Sequence, residues 1–479
     1  MKKKINVMHS HNNKLALFVI LMFCVSWMRT SELDYFDAGR VMKKIIQCVD
    51  ASTSGVDDAD INPLIQKLKP EIQKIREAKK YETDYAFINL ATDRNNLSVV
   101  QKCIEDKKKL KPTMCIVIGI GGSNLGTLAV GQALFGPLYN QTTDGIKLYF
   151  ADTVDADQIN DILVLAKKEL EKGNDIILNV VSKSGSTTET IANFEFFLSL
   201  LKEYKEDDYH QYIVATTDKD SKLWNLAQEE NFDCLEVPKK VGGRFSVFSA
   251  VGLFPLGLIG VDVKEFLDGA QSMVPVCTAN DEKNSAARGA AILYQQYCDG
   301  ITIHDLFLFS VALKGIGRWY RQLVGESLGK EQTKSGEVKP TGITPTVSVG
   351  STDLHSMAQL YLSGPIDRFT TFVSVEKNNS SIIIPDLPEF EKLVSNIQGK
   401  SLSLIMNVIL KGTQTAYKKG KRPFVSVVLP KKSAYYIGQF LQYKMIETVY
   451  LAYLLDVNPF DQPGVERYKQ ETRKMLAHG

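Results

Sequence analysis

The feature that most constrains this chain is an alternation that begins near residue 110. Short apolar runs are followed by Gly- or Ser-rich turns and then by helical stretches. Met114–Ile118 reads as a buried strand, a Gly-rich turn follows, and a helix runs to about Ala133. The order repeats with strands at Ile146–Phe150, Asp175–Val181, Gln211–Ala215 and Phe232–Val237, and with helices at Ala156–Leu170 and from Thr187 to about Lys202. Strands alternating with helices of about 12–15 residues imply a parallel, doubly wound sheet. A helix-rich stretch over 246–299 interrupts the pattern. Strands resume at Leu306–Phe309, Thr346–Val349, Phe369–Val375 and Phe424–Leu429, and the last long helical run is Ala434–Leu455. The expected fold is α/β, with subdomains at 50–255 and 300–460. Each is a parallel sheet flanked by helices, and helical extensions lie at both ends, the C-terminal one at 461–479. The charged run Lys202–Asp208 reads as a solvated helix end.

Composition narrows the function classes. Of 479 residues, 44% are apolar and 23% charged, which is ordinary for a globular protein with a large core. Lys and Arg number 57 against 55 Asp and Glu, so the chain is not built to coat nucleic acid. The seven Cys are odd in number and form no CxxC, and the six His form no HExxH. Neither a disulfide framework nor a thiolate zinc site is expected. A reduced, metal-free, cytoplasmic chain is.

The N-terminus points elsewhere. Lys2, Lys3, Lys4 and Lys14 precede an apolar run from Leu15 to Trp27, broken only by Ser26. That is the layout of a secretory signal, and it is shorter than the ~20 apolar residues of a membrane span. No small-x-small cleavage site follows. The competing reading takes Met28 as the true start and 1–27 as an upstream extension. The cytosolic character of the remaining chain favours that second reading, and no membrane association is expected.

Six segments could carry chemistry. Gly119-Ile-Gly-Gly-Ser-Asn-Leu-Gly126 lies between a strand and a helix, where a glycine backbone and a helix N-terminus can meet an anion. A dinucleotide fingerprint would need Gly where Asn124 stands, and a ligand-free tight turn is the plain alternative. Ser182-Lys-Ser-Gly-Ser-Thr-Thr-Glu-Thr190 offers six hydroxyls and a lysine at another such turn. A helix cap needs only one hydroxyl, so a phosphate cup is the fuller explanation. Both turns would lie at the carboxyl edge of one parallel sheet, where ligands bind in such folds. Val241-Gly-Gly-Arg-Phe-Ser246 places a permanent cation after a sharp turn. Gln322 and Glu326, four apart, share a helix face. Gly350-Ser-Thr-Asp-Leu-His355 carries one His beyond a strand, and Phe460-Asp-Gln-Pro-Gly-Val-Glu-Arg-Tyr-Lys469 is a Pro/Gly loop entering a helix. For Arg244, Glu326 and His355 taken singly, an ordinary surface role is the alternative.

In order and spacing, these six segments resemble the blocks of the glucose-6-phosphate isomerase (phosphoglucose isomerase) family, over roughly residues 50–470. The Ser184-Gly185-Ser186 loop resembles the shorter bacterial form, and Tyr468 stands where many members carry a small residue. The resemblance implies two sugar-isomerase domains of flavodoxin-like type. It implies cofactor-free interconversion of glucose 6-phosphate and fructose 6-phosphate, in glycolysis and gluconeogenesis, through ring opening and a cis-enediolate. It implies a homodimer with His355 supplied across the interface. By the same resemblance Glu326 is the base, His355 and Lys469 open the ring, and Arg244 sits beside the enediolate. Ser182, Lys183, Ser184 and Thr187 hold the phosphate with Gly122 and Ser123 nearby, and Gln322 and Gln462 contact substrate hydroxyls. Rival readings are a sugar-phosphate sensor, glutamine-dependent hexosamine phosphate synthesis and an NAD-dependent enzyme. No helix-turn-helix, no N-terminal Cys nucleophile domain and no complete dinucleotide fingerprint support them.

Overall fold

Apolar runs of five or six residues that are buried on both faces need helices above and below them, and parallel pairing supplies both. A computed structural model of the chain describes residues 46–48 and 51–478. The expectation for residues 1–27 lies outside the described residues. The strands are β1 (Gln47–Cys48), β2 (Met114–Ile118), β3 (Lys147–Ala151), β4 (Ile176–Val181), β5 (Ile213–Thr217), β6 (Asp233–Glu236), β7 (Ile303–Leu308), β8 (Lys330–Gln332), β9 (Val338–Thr341), β10 (Thr344–Val349), β11 (Arg368–Lys377) and β12 (Phe424–Lys431).

One sheet has the order β3-β2-β4-β5-β6 and is parallel throughout. Every residue of β2, β4 and β5 is buried. The chain leaves β2 for β3 on one side and then crosses back to β4 on the other. The carboxyl ends of β2 and β4 therefore open a crevice at the point where the winding reverses. The other sheet has the order β1-β12-β11-β7-β10; its four long strands are parallel and β1 runs antiparallel at the edge. The expected segments 50–255 and 300–460 each carry one parallel set of strands.

Two features lie beyond the sequence pattern. The two-residue strand β1 pairs with Val427 and Val428 of β12, a partner that no local signal in 47–48 reveals. The β8–β9 hairpin is mostly exposed and has no apolar alternation to mark it.

The helix Ala434–Leu454 is buried along most of its length, as a sequence with apolar residues on every face requires. Its two interior charges neutralise each other: Lys444 Nζ lies 2.6 Å from Glu447 Oε2, and Tyr443 donates to the other oxygen at 2.6 Å. The helix crosses Val263–Cys277 backbone to backbone. A Cβ on Gly438 would fall 2.2 Å from the Phe266 carbonyl oxygen, so only glycine permits the contact. Among the described residues, no helix is long and apolar enough to cross a membrane.

Candidate active site

The site starts at the crevice between β2 and β4. The turn after β2 presses on the end of β4, since a Cβ on Gly119 would lie 2.7 Å from the Val181 carbonyl oxygen. After β4 the chain turns through Ser182–Thr187 into the helix Thr188–Lys205. Gly185 has φ +66°, and a Cβ there would collide with the Leu223 amide nitrogen at 2.6 Å, so this position demands glycine. Ser182 Oγ and Thr187 Oγ1 share a hydrogen bond of 3.0 Å, and Thr217 Oγ1 donates to the Ser182 carbonyl at 2.6 Å. Thr187 is the N-cap residue but makes no side-chain cap bond, which leaves the first turn of the helix open to an external acceptor. Ser184 Oγ accepts from the Ser186 amide and hydroxyl, both at 3.4 Å. Lys183 donates to the Lys239 carbonyl at 2.6 Å. Burial lowers its pKa, and the nearby Asp218 carboxylate opposes that shift.

Gly122 joins this crevice to Arg244 and its partners. A Cβ on it would lie 2.2 Å from the Gly243 carbonyl carbon and 2.7 Å from the Arg244 amide nitrogen. The two glycine turns therefore touch through bare backbone, and Ser246 Oγ donates to the Gly122 carbonyl at 3.4 Å. Ser123 completes the short 3-10 turn Gly121–Ser123 beside them. Arg244 follows, only 2% exposed. Its Nε donates to Ser327 Oγ at 2.9 Å and its Nη1 to Glu326 Oε2 at 3.1 Å and Gln462 Oε1 at 2.8 Å. Its Nη2 donates to the carbonyls of Pro459 and, at 3.1 Å, Asp461. Burial lowers the Arg244 pKa, and the Glu326 carboxylate is the main counterweight.

Glu326 and Gln322 lie one turn apart on the helix Lys314–Leu328. Gln322 Nε2 donates to Glu326 Oε1 at 3.1 Å. Each carboxylate oxygen thus has one protein donor, while the side chain stays 32% exposed toward the cleft. Gln322 Oε1 is buried without a hydrogen-bond partner among the described residues. Its amide packs on Gly121, where a Cβ would come within 2.9 Å of Nε2. Phe460, whose ring packs 5.6 Å from Phe245 and 5.2 Å from Tyr85, anchors the loop that carries Gln462.

Two further residues at this site carry no sequence signal of their own. Ser327 is fully buried as an Arg244 acceptor. Lys330 is nearly buried, with its ammonium bound by the Glu326 and Asp461 carbonyls. A serine and a lysine after a helix look like surface residues until the partners are known.

The other two expected ring-opening residues are not gathered here. His355 ends the exposed 3-10 turn Thr352–His355 after β10 and makes no described contact with Glu326, Arg244 or Lys469. That turn is ordered by Asp353, which accepts from the Val349 amide at 2.7 Å and from Ser356 Oγ at 2.9 Å. Lys469 lies on the helix Pro463–His478 and pairs with Glu466 at 2.9 Å.

The arrangement has a cluster of hydroxyls at one end, and a carboxylate paired with a buried cation at the other. The family model described as phosphoglucose isomerase matches residues 104–478. A glucose-6-phosphate isomerase of Carboxydothermus hydrogenoformans is 32% identical over 427 residues, covering 88% of this chain and 90% of that protein. A probable glucose-6-phosphate isomerase of Methanococcus maripaludis is 34% identical over 408 residues, covering 85% and 87%. Among solved structures, a hypothetical protein from Thermus thermophilus superposes with a TM-score of 0.79 at 30% identity, covering 88% of this chain and 96% of that one. A glucose-6-phosphate isomerase from Chlamydia trachomatis shares the fold, with a TM-score of 0.76 at 21% identity over 89% and 87% of the two chains.

Proposed function

Because this chain belongs to the phosphoglucose isomerase family, we propose a division of labour among its residues for that family's reaction. The enzyme interconverts glucose 6-phosphate and fructose 6-phosphate, an aldose–ketose isomerisation of glycolysis and gluconeogenesis. The phosphate sits in the cup of Ser182, Lys183, Ser184 and Thr187, with Gly122 and Ser123 at its rim. It holds the sugar far from the reacting carbons and fixes their orientation. The ring opens when a proton reaches the ring oxygen and another leaves the C1 hydroxyl; Lys469 and His355 of the partner subunit carry these transfers. Glu326 then takes the C2 proton and returns it at C1. Negative charge develops on the enediolate oxygens, and Arg244 stabilises it where it forms. Gln322 and Gln462 bind substrate hydroxyls.

The single observation that carries this reading is the meeting at Arg244 Nη1. One nitrogen contacts both Glu326 and Gln462, so base, cation and hydroxyl partner converge within hydrogen-bond distance. A coupled assay tests it. Fructose 6-phosphate supplied alone should give glucose 6-phosphate at a rate proportional to enzyme, and no product would overturn the reading.

The homodimer belongs to the same proposal. His355 is exposed on one chain, and a large apolar surface lies on the segment before and within the helix Leu402–Lys419. Ile382 and Ile383 are 59% exposed, Leu393 74% and Val408 58%. A monomer rarely leaves such a patch in water, and a second copy of this chain is the occupant we assign. If His355 works in the partner's site, Glu326→Gln and His355→Ala chains co-expressed in equal amounts should regain about one quarter of native activity, because half the dimers carry one intact site of two. Each variant alone should be inactive, and absence of recovery in a purified mixed dimer would place His355 in its own chain's site. The cytoplasm, where hexose phosphates are metabolised, is the compartment this reading assigns.

A further inference from the structure

Lys330 is the buried charge that the division of labour above leaves unused. Its side chain is 5% exposed, and it stands two residues beyond the end of the helix that carries Glu326. The Glu326 carbonyl belongs to the last turn of that helix, where the intrahelical partner is missing. Lys330 Nζ donates to that carbonyl and caps the helix with charge. The same ammonium donates to the Asp461 carbonyl at 3.0 Å and lies 3.5 Å from the Asp461 carboxylate. The Asp461 carbonyl also accepts from Arg244 Nη2 at 3.1 Å. Two cations therefore converge on one carbonyl of the loop whose next residue, Gln462, touches Arg244.

We infer that Lys330 is a positioning residue for the isomerisation: its ammonium ties the backbone of Glu326 to the 459–462 loop and sets the distance between the base and the Arg244–Gln462 pair. This rests on Glu326 being the base. Without the tie, the Glu326 and Asp461 carbonyls lose a shared donor, and the helix end can move relative to the loop. A displacement of about 1 Å at reacting groups costs on the order of 100-fold in rate.

The charged state matters, because a neutral amine donates more weakly to carbonyls. The charged groups facing Lys330 are Arg244 from the glycine turn, Asp461 from the loop and Glu326 from the helix. Burial, with Arg244 next, brings its pKa down to about 8, against opposition from Asp461 and Glu326. Turnover should therefore fall as pH rises through about 8. The stability contribution of this group runs the other way. A lysine whose folded value is depressed costs stability while charged, and that cost is relieved as pH rises from the folded value toward the unfolded one. Activity falling while the fold does not weaken separates positioning from a merely structural role.

The experiment compares kcat, KM and urea stability between pH 6.5 and 9.5 for the native enzyme, Lys330→Met, Lys330→Arg and Glu326→Gln. Lys330→Met should lose about 100-fold in kcat with KM within about threefold. Lys330→Arg should recover at least a tenth of native kcat and lose the alkaline limb, because guanidinium stays charged throughout this range. An unchanged limb in Lys330→Arg would overturn the inference, as would native kcat in Lys330→Met. If Lys330→Met does not fold, the pH profile of Lys330→Arg decides alone. Glu326→Gln tells the two failures apart: a native rate there removes the base assignment itself, whereas an inactive Glu326→Gln beside unaffected Lys330 variants removes only the role of Lys330.

Discussion

Glu326→Gln should lower kcat by roughly 100- to 10,000-fold, the range spanned by loss of a positioned general base. The amide keeps the size and planarity of the carboxylate but cannot take a proton from C2. Its oxygen can still accept from Arg244 Nη1, as Glu326 Oε2 does now at 3.1 Å. Arg244 also keeps Ser327, Gln462 and the Pro459 and Asp461 carbonyls, so the variant should fold. The cup proposed for the phosphate lies on other elements, at the ends of β2 and β4. Equilibrium binding of fructose 6-phosphate should therefore stay within a few-fold of native. Calorimetric titration beside the coupled assay checks both halves. A near-native rate would remove Glu326 as the base, and lost binding would mean the variant reports on the fold.

Arg244→Ala is the second large effect, and it should strike both rate and stability. Loss of a charge aimed at a developing oxyanion costs on the order of 100- to 1,000-fold in kcat. Truncation also leaves the buried carbonyl of Pro459 without this donor and leaves the Asp461 carbonyl with Lys330 alone, which loosens the loop that presents Gln462. The orphaned buried acceptor at Pro459 and the loss of the partly exposed ion pair at Glu326 together put the stability loss at about 1–3 kcal/mol. Urea denaturation should show it as a lower midpoint with little change in slope. The KM for fructose 6-phosphate should move less than kcat if ground-state binding rests on the cup proposed for the phosphate. A pure KM effect would count against enediolate stabilisation. Arg244→Lys should rescue poorly, since one ammonium cannot span Ser327, Glu326, Gln462 and two carbonyls at once.

How legible the molecule is in its sequence varies with the range of the interactions. The run Met114–Ile118 coincides with β2 residue for residue, because a strand buried on both faces must be apolar throughout. Residues 434–455 read as a helix for a related reason, and the observed helix ends one residue earlier, at Leu454: a helix enclosed by protein is largely apolar on every face. The glycines at 119–126 are visible as a turn, but their purpose is not. Gly122 is required by the backbone of Gly243, more than a hundred residues away. Ser327 and Lys330 look like surface polar residues, and only the approach of Arg244 and the 459–461 loop buries them. β1 is two residues long and finds its sheet through β12, near the other end of the chain.

By itself the sequence determined the order of strands and helices, the two glycine/hydroxyl turns at strand ends and the residue types available for acid–base work. These follow from hydrophobic periodicity and turn stereochemistry, which act over a few residues. The tertiary structure decided which of those residues meet. It brought Gly122 against Gly243 and drew Glu326, Gln322, Gln462, Ser327 and Lys330 around one buried arginine. It left His355 on the surface, apart from that cluster. Those outcomes depend on winding direction and on contacts between segments far apart in the chain, such as Arg244 and Gln462, 218 residues apart, and no local rule encodes them.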